Sequence, residues 1–122
     1  MHVDDLQKIR LEPAPSWEIT FHELYLLDPD AVANIEGAEP SSVWESYFGQ
    51  DIFQAKNAAK GLFIDIGWGP HANPDGCFCL AVLPYSYDPI EECDVINWQT
   101  PIQQLETRSL DTLASQLQII LQ

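Results

Sequence analysis

Leu62-Phe63-Ile64-Asp65-Ile66-Gly67-Trp68, the connector Gly69-Pro70-His71-Ala72-Asn73-Pro74-Asp75-Gly76 and the run Cys77-Phe78-Cys79-Leu80-Ala81-Val82-Leu83 decide the fold. The first run is rich in aromatic and β-branched residues, which suit a pleated, half-buried surface. The last is a second apolar run of strand length. Between them Gly, Pro, Asn and Asp concentrate, and Pro74-Asp75-Gly76 is a strong local turn. Two strand-like runs joined in this way predict a β-hairpin with a longer loop. Asp65 interrupts the first apolar run. It therefore either faces solvent on the open side of a sheet or meets a cation there.

Working outward toward the N-terminus, Trp17, Ile19 and Phe21 alternate with Glu18, Thr20 and His22, a period of two that predicts a strand with one face in the core. Asp28-Pro29-Asp30 reads as a turn, and residues 31 to 40 as a loop. Ser42 stands three residues before Glu45, the spacing of a capping box. Trp44, Phe48, Ile52, Ala55 and Ala59 fall on one helical face, interrupted by Gly49, with Asp51 able to cap a fresh helix. One kinked helix or two short ones, closed by Gly61, are expected. Residues 1 to 15 allow a helical turn or two, ended by Pro13 and Pro15.

Toward the C-terminus, Pro84 and Pro89 bracket an expected exposed loop, Tyr85 to Glu92. Cys93 to Trp98 and Ile102 to Thr107 are further strand candidates. Ser109 is a good N-cap, and Leu110, Leu113, Leu117, Ile120 and Leu121 form an apolar stripe at helical spacing. The expectation is a single α+β domain, a largely antiparallel, meandering sheet packed against helices, with an amphipathic C-terminal helix.

Charge bears on partners. Nineteen Asp and Glu stand against five Lys and Arg, a formal net charge of −14 in 122 residues. Nine carboxylates lie between Arg10 and Lys56 and seven between Lys60 and Arg108, with no Lys or Arg among them. Such a surface repels nucleic acid and anionic membrane and attracts cationic partners. At 46% apolar residues the chain has a core to bury, unlike an acidic disordered segment. No apolar stretch approaches the ~20 residues of a membrane span. No secretory signal is visible, and three cysteines favour reduced thiols. A soluble cytoplasmic domain is expected.

Candidate chemistry is sparse. Cys77, Cys79, Cys93 and His71 are possible soft ligands, but Cys-x-Cys on a strand is not a zinc knuckle, and cysteine commonly acts as a small buried hydrophobe. His71, Asp75 and Cys77 are close in sequence without a nucleophile elbow. Gly67 and Gly69 lack the phosphate-cradling pattern. No catalytic residues, metal or cofactor are therefore assigned, and the chain is read as a binding protein rather than an enzyme. Tyr85 and Tyr87, beside Asp88, Glu91, Glu92 and Asp94, have the composition of a tight interface: aromatics supply buried area, carboxylates steering. An ordinary solvated acidic loop is the competing reading. Asp65 and Trp98 complete the expected interface set.

The run Gly61 to Trp68, the turn Asn73-Pro74-Asp75-Gly76 with the strand after it, and the end from Leu105 to Leu113 running into a helix resemble small immunity proteins of bacterial polymorphic-toxin and contact-dependent inhibition systems. The resemblance covers roughly residues 61 to 122. It implies a protein that binds the C-terminal toxin domain of a cognate effector and blocks it, the toxin being a basic nuclease. The alternatives are an acidic nucleic-acid mimic or regulatory adaptor that binds a DNA-binding protein, and a small hydrolase or metal protein.

Overall fold

The computed structural model describes residues 1–122. Six strands, β1 (Glu18–His22), β2 (Phe53–Asn57), β3 (Leu62–Gly69), β4 (Cys77–Asp88), β5 (Cys93–Ile96) and β6 (Gln103–Thr107), form one antiparallel sheet. Two helices, α1 (Pro40–Tyr47) and α2 (Leu110–Ile120), accompany it, with short 3-10 turns at Val3–Asp5 and Pro29–Asn34. The expected α+β architecture with an antiparallel sheet and a C-terminal helix is what forms.

Strands β1 to β4 run as a meander, each paired with the next. β4 is the hub. Its residues Cys77 to Pro84 pair with β3 along one edge. Along the other edge β6 pairs with Phe78–Val82 and β5 with Tyr85–Asp88. The carbonyls of Val82 and Pro84 point to that edge and accept from Ile102 and Asn97. β5 and β6 thus lie end to end, and the ladder breaks where Pro84 offers a carbonyl but no N–H. Beyond Pro84, β4 and β5 extend past the end of β3 as a two-stranded arm.

The strand period of two sorts each strand onto two faces. Inward go Phe53, Ala55, Ile64, Ile66, Trp68, Phe78, Leu80 and Val82, all buried. With Val43 and Trp44 of α1, Phe48 after it, and Leu110, Leu113, Leu117 and Leu121 of the C-terminal segment, they form one cluster. Phe48 sits 4.5 Å from Trp44 and 4.8 Å from Trp68, whose ring is 5.0 Å from Phe78. Burying each such side chain contributes roughly 1.5–3 kcal/mol. Ser109 caps α2 as expected, its hydroxyl accepting from the Thr112 N–H.

Four expectations fail for identifiable reasons. The capping box at Ser42 does not form: the N-cap is Glu39, three residues earlier, and Pro40 supplies a helical φ at the first position. The helix ends at Tyr47, and residues 53 to 57 are strand β2, not helix. Phe53, Ala55 and Asn57 are buried while Gln54 and Lys56 face out, a period of two hidden within a segment that also fits a helical face. Gly61 closes a β-turn at φ +66, not a helix. The expected loop after Pro84 is instead the continuation of β4 through Asp88, with Tyr85 buried in it.

The turn-rich connector holds Trp68 in place. The indole Nε1–H donates to the Asn73 carbonyl at 2.8 Å, and the Arg108 guanidinium lies 5.5 Å over the ring while donating to the Pro74 and Gly76 carbonyls. At Gly67 any side chain would run into the Gln50 carbonyl, because the backbone of Gly49 to Asp51 crosses directly over it. That crossing is pinned by Trp68 N–H to Gly49 and Ile52 N–H to Ile66, both 2.8 Å. It carries the chain from α1 into β2.

Candidate functional site

The outer face of the sheet has no helix over it. In register across it run Lys56, Phe63 and Leu83, then Gln54, Asp65, Ala81 and Gln104. Phe63, Leu83 and Tyr85 form a small buried cluster of their own, backed by Ala81 and Ile96. Trp98 packs on it, its ring 5.9 Å from Phe63, yet remains 55% exposed. Phe21, opposite Gln54, is also exposed.

A polar network ties this face together. The Tyr85 hydroxyl donates to Asp94 at 2.7 Å. Lys56 Nζ lies 3.2 Å from Asp94 and 3.4 Å from Glu18, so one lysine joins β1, β2 and β5. The Tyr85 hydrogen bond first, and Lys56 after it, hold the Asp94 carboxyl below its ordinary value. The same bond to Asp94, with burial, raises the Tyr85 phenol. The Asp94 contact, with a smaller one from Glu18, raises the Lys56 ammonium.

Asp65 stands apart. Burial raises its carboxyl above the ordinary value, the nearby Asp51 charge adds to that, and the Gln54 amide donating at 3.1 Å opposes it. No Lys or Arg pairs with it.

The arm carries the remaining acids. Asp88 turns the chain, its carboxylate accepting from the Ile90 and Glu91 N–H groups. Glu92 adopts φ +53, and Glu91 and Glu92 are exposed. Tyr87 lies opposite Asp94 in register and is 52% exposed. Ile90, at the tip, is 88% exposed among these carboxylates. Val95 is exposed on the opposite side of the arm.

Asp65, Tyr85, Asp94, Tyr87 and Trp98 thus share one face, with Asp88, Glu91 and Glu92 on the adjoining arm. Tyr85 and Asp94 are internally bonded and act as the scaffold of this surface, while Tyr87, Trp98, Glu91 and Glu92 are its accessible members. Sequence reading missed Ile90, Phe63 and Phe21. Ile90 had a visible signal, an isolated branched apolar residue between Pro89 and two glutamates; Phe63 and Phe21 were indistinguishable from core residues until strand phase was known.

Compared with protein families, curated proteins and solved structures, the chain finds no match.

A second concave region adjoins the face. A cleft of about 460 Å³ lies between α1 and the end of β1, lined by Phe21, Glu23, Glu45, Tyr47, Asp51 and His71. Among its carboxylates, Glu23 pairs with Lys8 at 3.4 Å and Glu45 lies 3.3 Å from the His71 imidazole. The four soft donors do not converge. Cys77 begins β4, and Cys93 pairs with Asp88 at its other end, roughly 35 Å away at strand rise. Burial and the adjacent Cys77 push the Cys79 thiol up to about 11, so it is protonated at neutral pH and a poor nucleophile. No helix is long and apolar enough to cross a membrane.

Proposed function

We propose that the chain is an immunity protein that binds and neutralises a basic toxin domain, a nuclease, by stoichiometric association through the outer sheet face and the β4–β5 arm. The observation that carries this reading is an uncovered sheet face that joins accessible aromatic and branched side chains to uncompensated carboxylates. Trp98, Tyr87 and Ile90 supply apolar area to bury, and the surrounding acids supply steering and orientation. Interfaces with this division of labour associate fast at low salt, which suits a protein that must capture its target before the target acts. A nuclease presents a basic cleft to its substrate, and a surface of net charge −14 is complementary to it.

The test is purification of the tagged chain from its own cells at low salt, followed by identification and assay of what accompanies it. The expected result is a near-stoichiometric basic domain from the C-terminus of a larger protein, with an activity that added chain abolishes at a one-to-one ratio. A DNA-binding protein in its place would establish the mimic reading instead. An association rate that does not fall as salt is raised would remove electrostatic steering.

A further inference from the structure

Resting on that reading, we infer that Asp65 is the docking point for an arginine side chain of the basic protein partner. Asp65 sits mid-strand on the outer face, between Gln54 of β2 and Ala81 of β4 in register, with Phe63 and Gly67 on either side along β3. Phe63 and Ala81 flank it with apolar groups, the Gln50 carbonyl closes the Gly67 side, and its one side-chain donor is the Gln54 amide. Lys56, the other half-buried charge on this face, is paired within the chain with Asp94 and Glu18, and the exposed Asp94 also holds Tyr85. Asp65 is left with a carboxylate that can accept several hydrogen bonds and receives one.

Chemistry selects the occupant. A carboxylate recessed among apolar groups gains more from a cation than an exposed one does, because the surroundings screen less. Guanidinium suits the place better than ammonium. Its planar fork makes two parallel hydrogen bonds to one carboxylate, and it is more weakly hydrated. Ala81 is small and leaves its side of the carboxylate open to such a plane, whereas the Gln50 carbonyl fills the position beside Gly67. Asp51, the acid whose charge bears on Asp65, extends the attraction toward the cleft beside it. The free protein carries the cost of a recessed, unpaired carboxylate, and a partner's arginine offsets it only in the complex.

The test is carboxyl-detected NMR of the intact chain titrated with N-acetyl-arginine amide, and in parallel with N-acetyl-lysine amide, in the wild type and Asp65→Asn. Asparagine keeps the shape and can still accept from Gln54. The expected result is saturable shifts confined to Phe63, Asp65, Gly67 and Ala81 with the arginine amide, lost in Asp65→Asn, and a fall in the Asp65 titration midpoint as arginine is added. Asp65→Asn alone should melt about 1–3 °C higher than wild type at pH 7, since it removes a buried charge without leaving a hole, and should bind the captured partner about 30-fold or more weakly. A residue that merely supports the fold would not raise stability while lowering affinity. Shifts spread over Glu91, Glu92 and other exposed acids, an Asp65 midpoint indifferent to arginine, or equal response to lysine would overturn the inference. A partner bound equally well by Asp65→Asn would remove the anchor and leave the immunity reading standing. Failure to capture any basic partner would remove that reading and leave the arginine titration to stand on its own.

Discussion

The two faces of the same sheet differ in what covers them. On the inner face Trp44, Phe48, Trp68 and Phe78 pack ring on ring, in a cluster of 21 buried residues that draws on both helices. On the outer face a cluster of three, Phe63, Leu83 and Tyr85, is reinforced by the Tyr85–Asp94–Lys56 network and by a half-exposed Trp98. Strand alternation is the same on both sides, so the contrast comes from where the helices go. The inner face holds the molecule together; the outer face keeps large side chains and charges that a second molecule can use.

The comparison is broken most severely by emptying the inner face. Phe48→Ala removes a 2%-exposed ring touching Trp44, Trp68 and Phe78, and should destabilise the chain by about 3–5 kcal/mol in urea unfolding. A loss no larger than that of the outer-face variants would show that the faces do not divide the work as described. Leu83→Ala, on the outer face, leaves a cavity that neighbouring side chains and solvent can partly fill. It should cost about 2–3 kcal/mol, at the lower end for buried leucines, by the same measurement.

Tyr85→Phe sharpens the contrast, because it removes a hydrogen bond and no apolar volume. A loss of about 1 kcal/mol at pH 7 is expected. Asp94 is held below its ordinary carboxylate value by the Tyr85 hydroxyl and Lys56, so its contribution is present above the unfolded value of about 3.9 and disappears as pH falls through the lower folded value. Chemical unfolding as a function of pH should therefore show the wild-type advantage over Tyr85→Phe shrinking below about pH 4. Asp65 carries the opposite sign. Burial raises its folded value, so its contribution is greatest below the unfolded value and is lost as pH rises through the folded one. Two carboxylates on one face thus pull stability in opposite directions, and Asp65→Asn should flatten the part that declines toward neutrality.

The smallest stability effect belongs to the arm. Glu91→Lys with Glu92→Lys alters exposed side chains and should change unfolding free energy by no more than about 0.5 kcal/mol. Its effect lies in recognition. Association with the captured partner should slow about tenfold at low salt, and the difference from wild type should close as salt is raised. An unchanged rate would take the arm out of the interface.

The hairpin of β3 and β4 and the capped helix α2 were legible because their signals are local: turn residues between two apolar runs, and a serine ahead of an apolar stripe. The path from α1 to β2 was not. Trp44, Phe48, Ile52 and Ala55 are all buried, as their helical spacing implies, but the backbone reaches that result by leaving the helix at Tyr47 and crossing over Gly67. Tyr85 misled for a related reason. Pro84 reads as a loop boundary, yet it occupies the one place in β4 where the neighbouring ladder is interrupted and no N–H is needed. At the candidate site the acids and aromatics could be picked out by composition, but not which of them were already engaged.

By itself the sequence determined the α+β class, the central hairpin, the closing helix and an acidic surface, since these follow from periodicity, turn chemistry and charge count. Only the tertiary structure decided that one sheet face stays uncovered, that Lys56 engages Asp94, and that Asp65 is left recessed without a cation. Those outcomes depend on pairing between strands far apart in the chain, where register and helix placement determine which side chains meet.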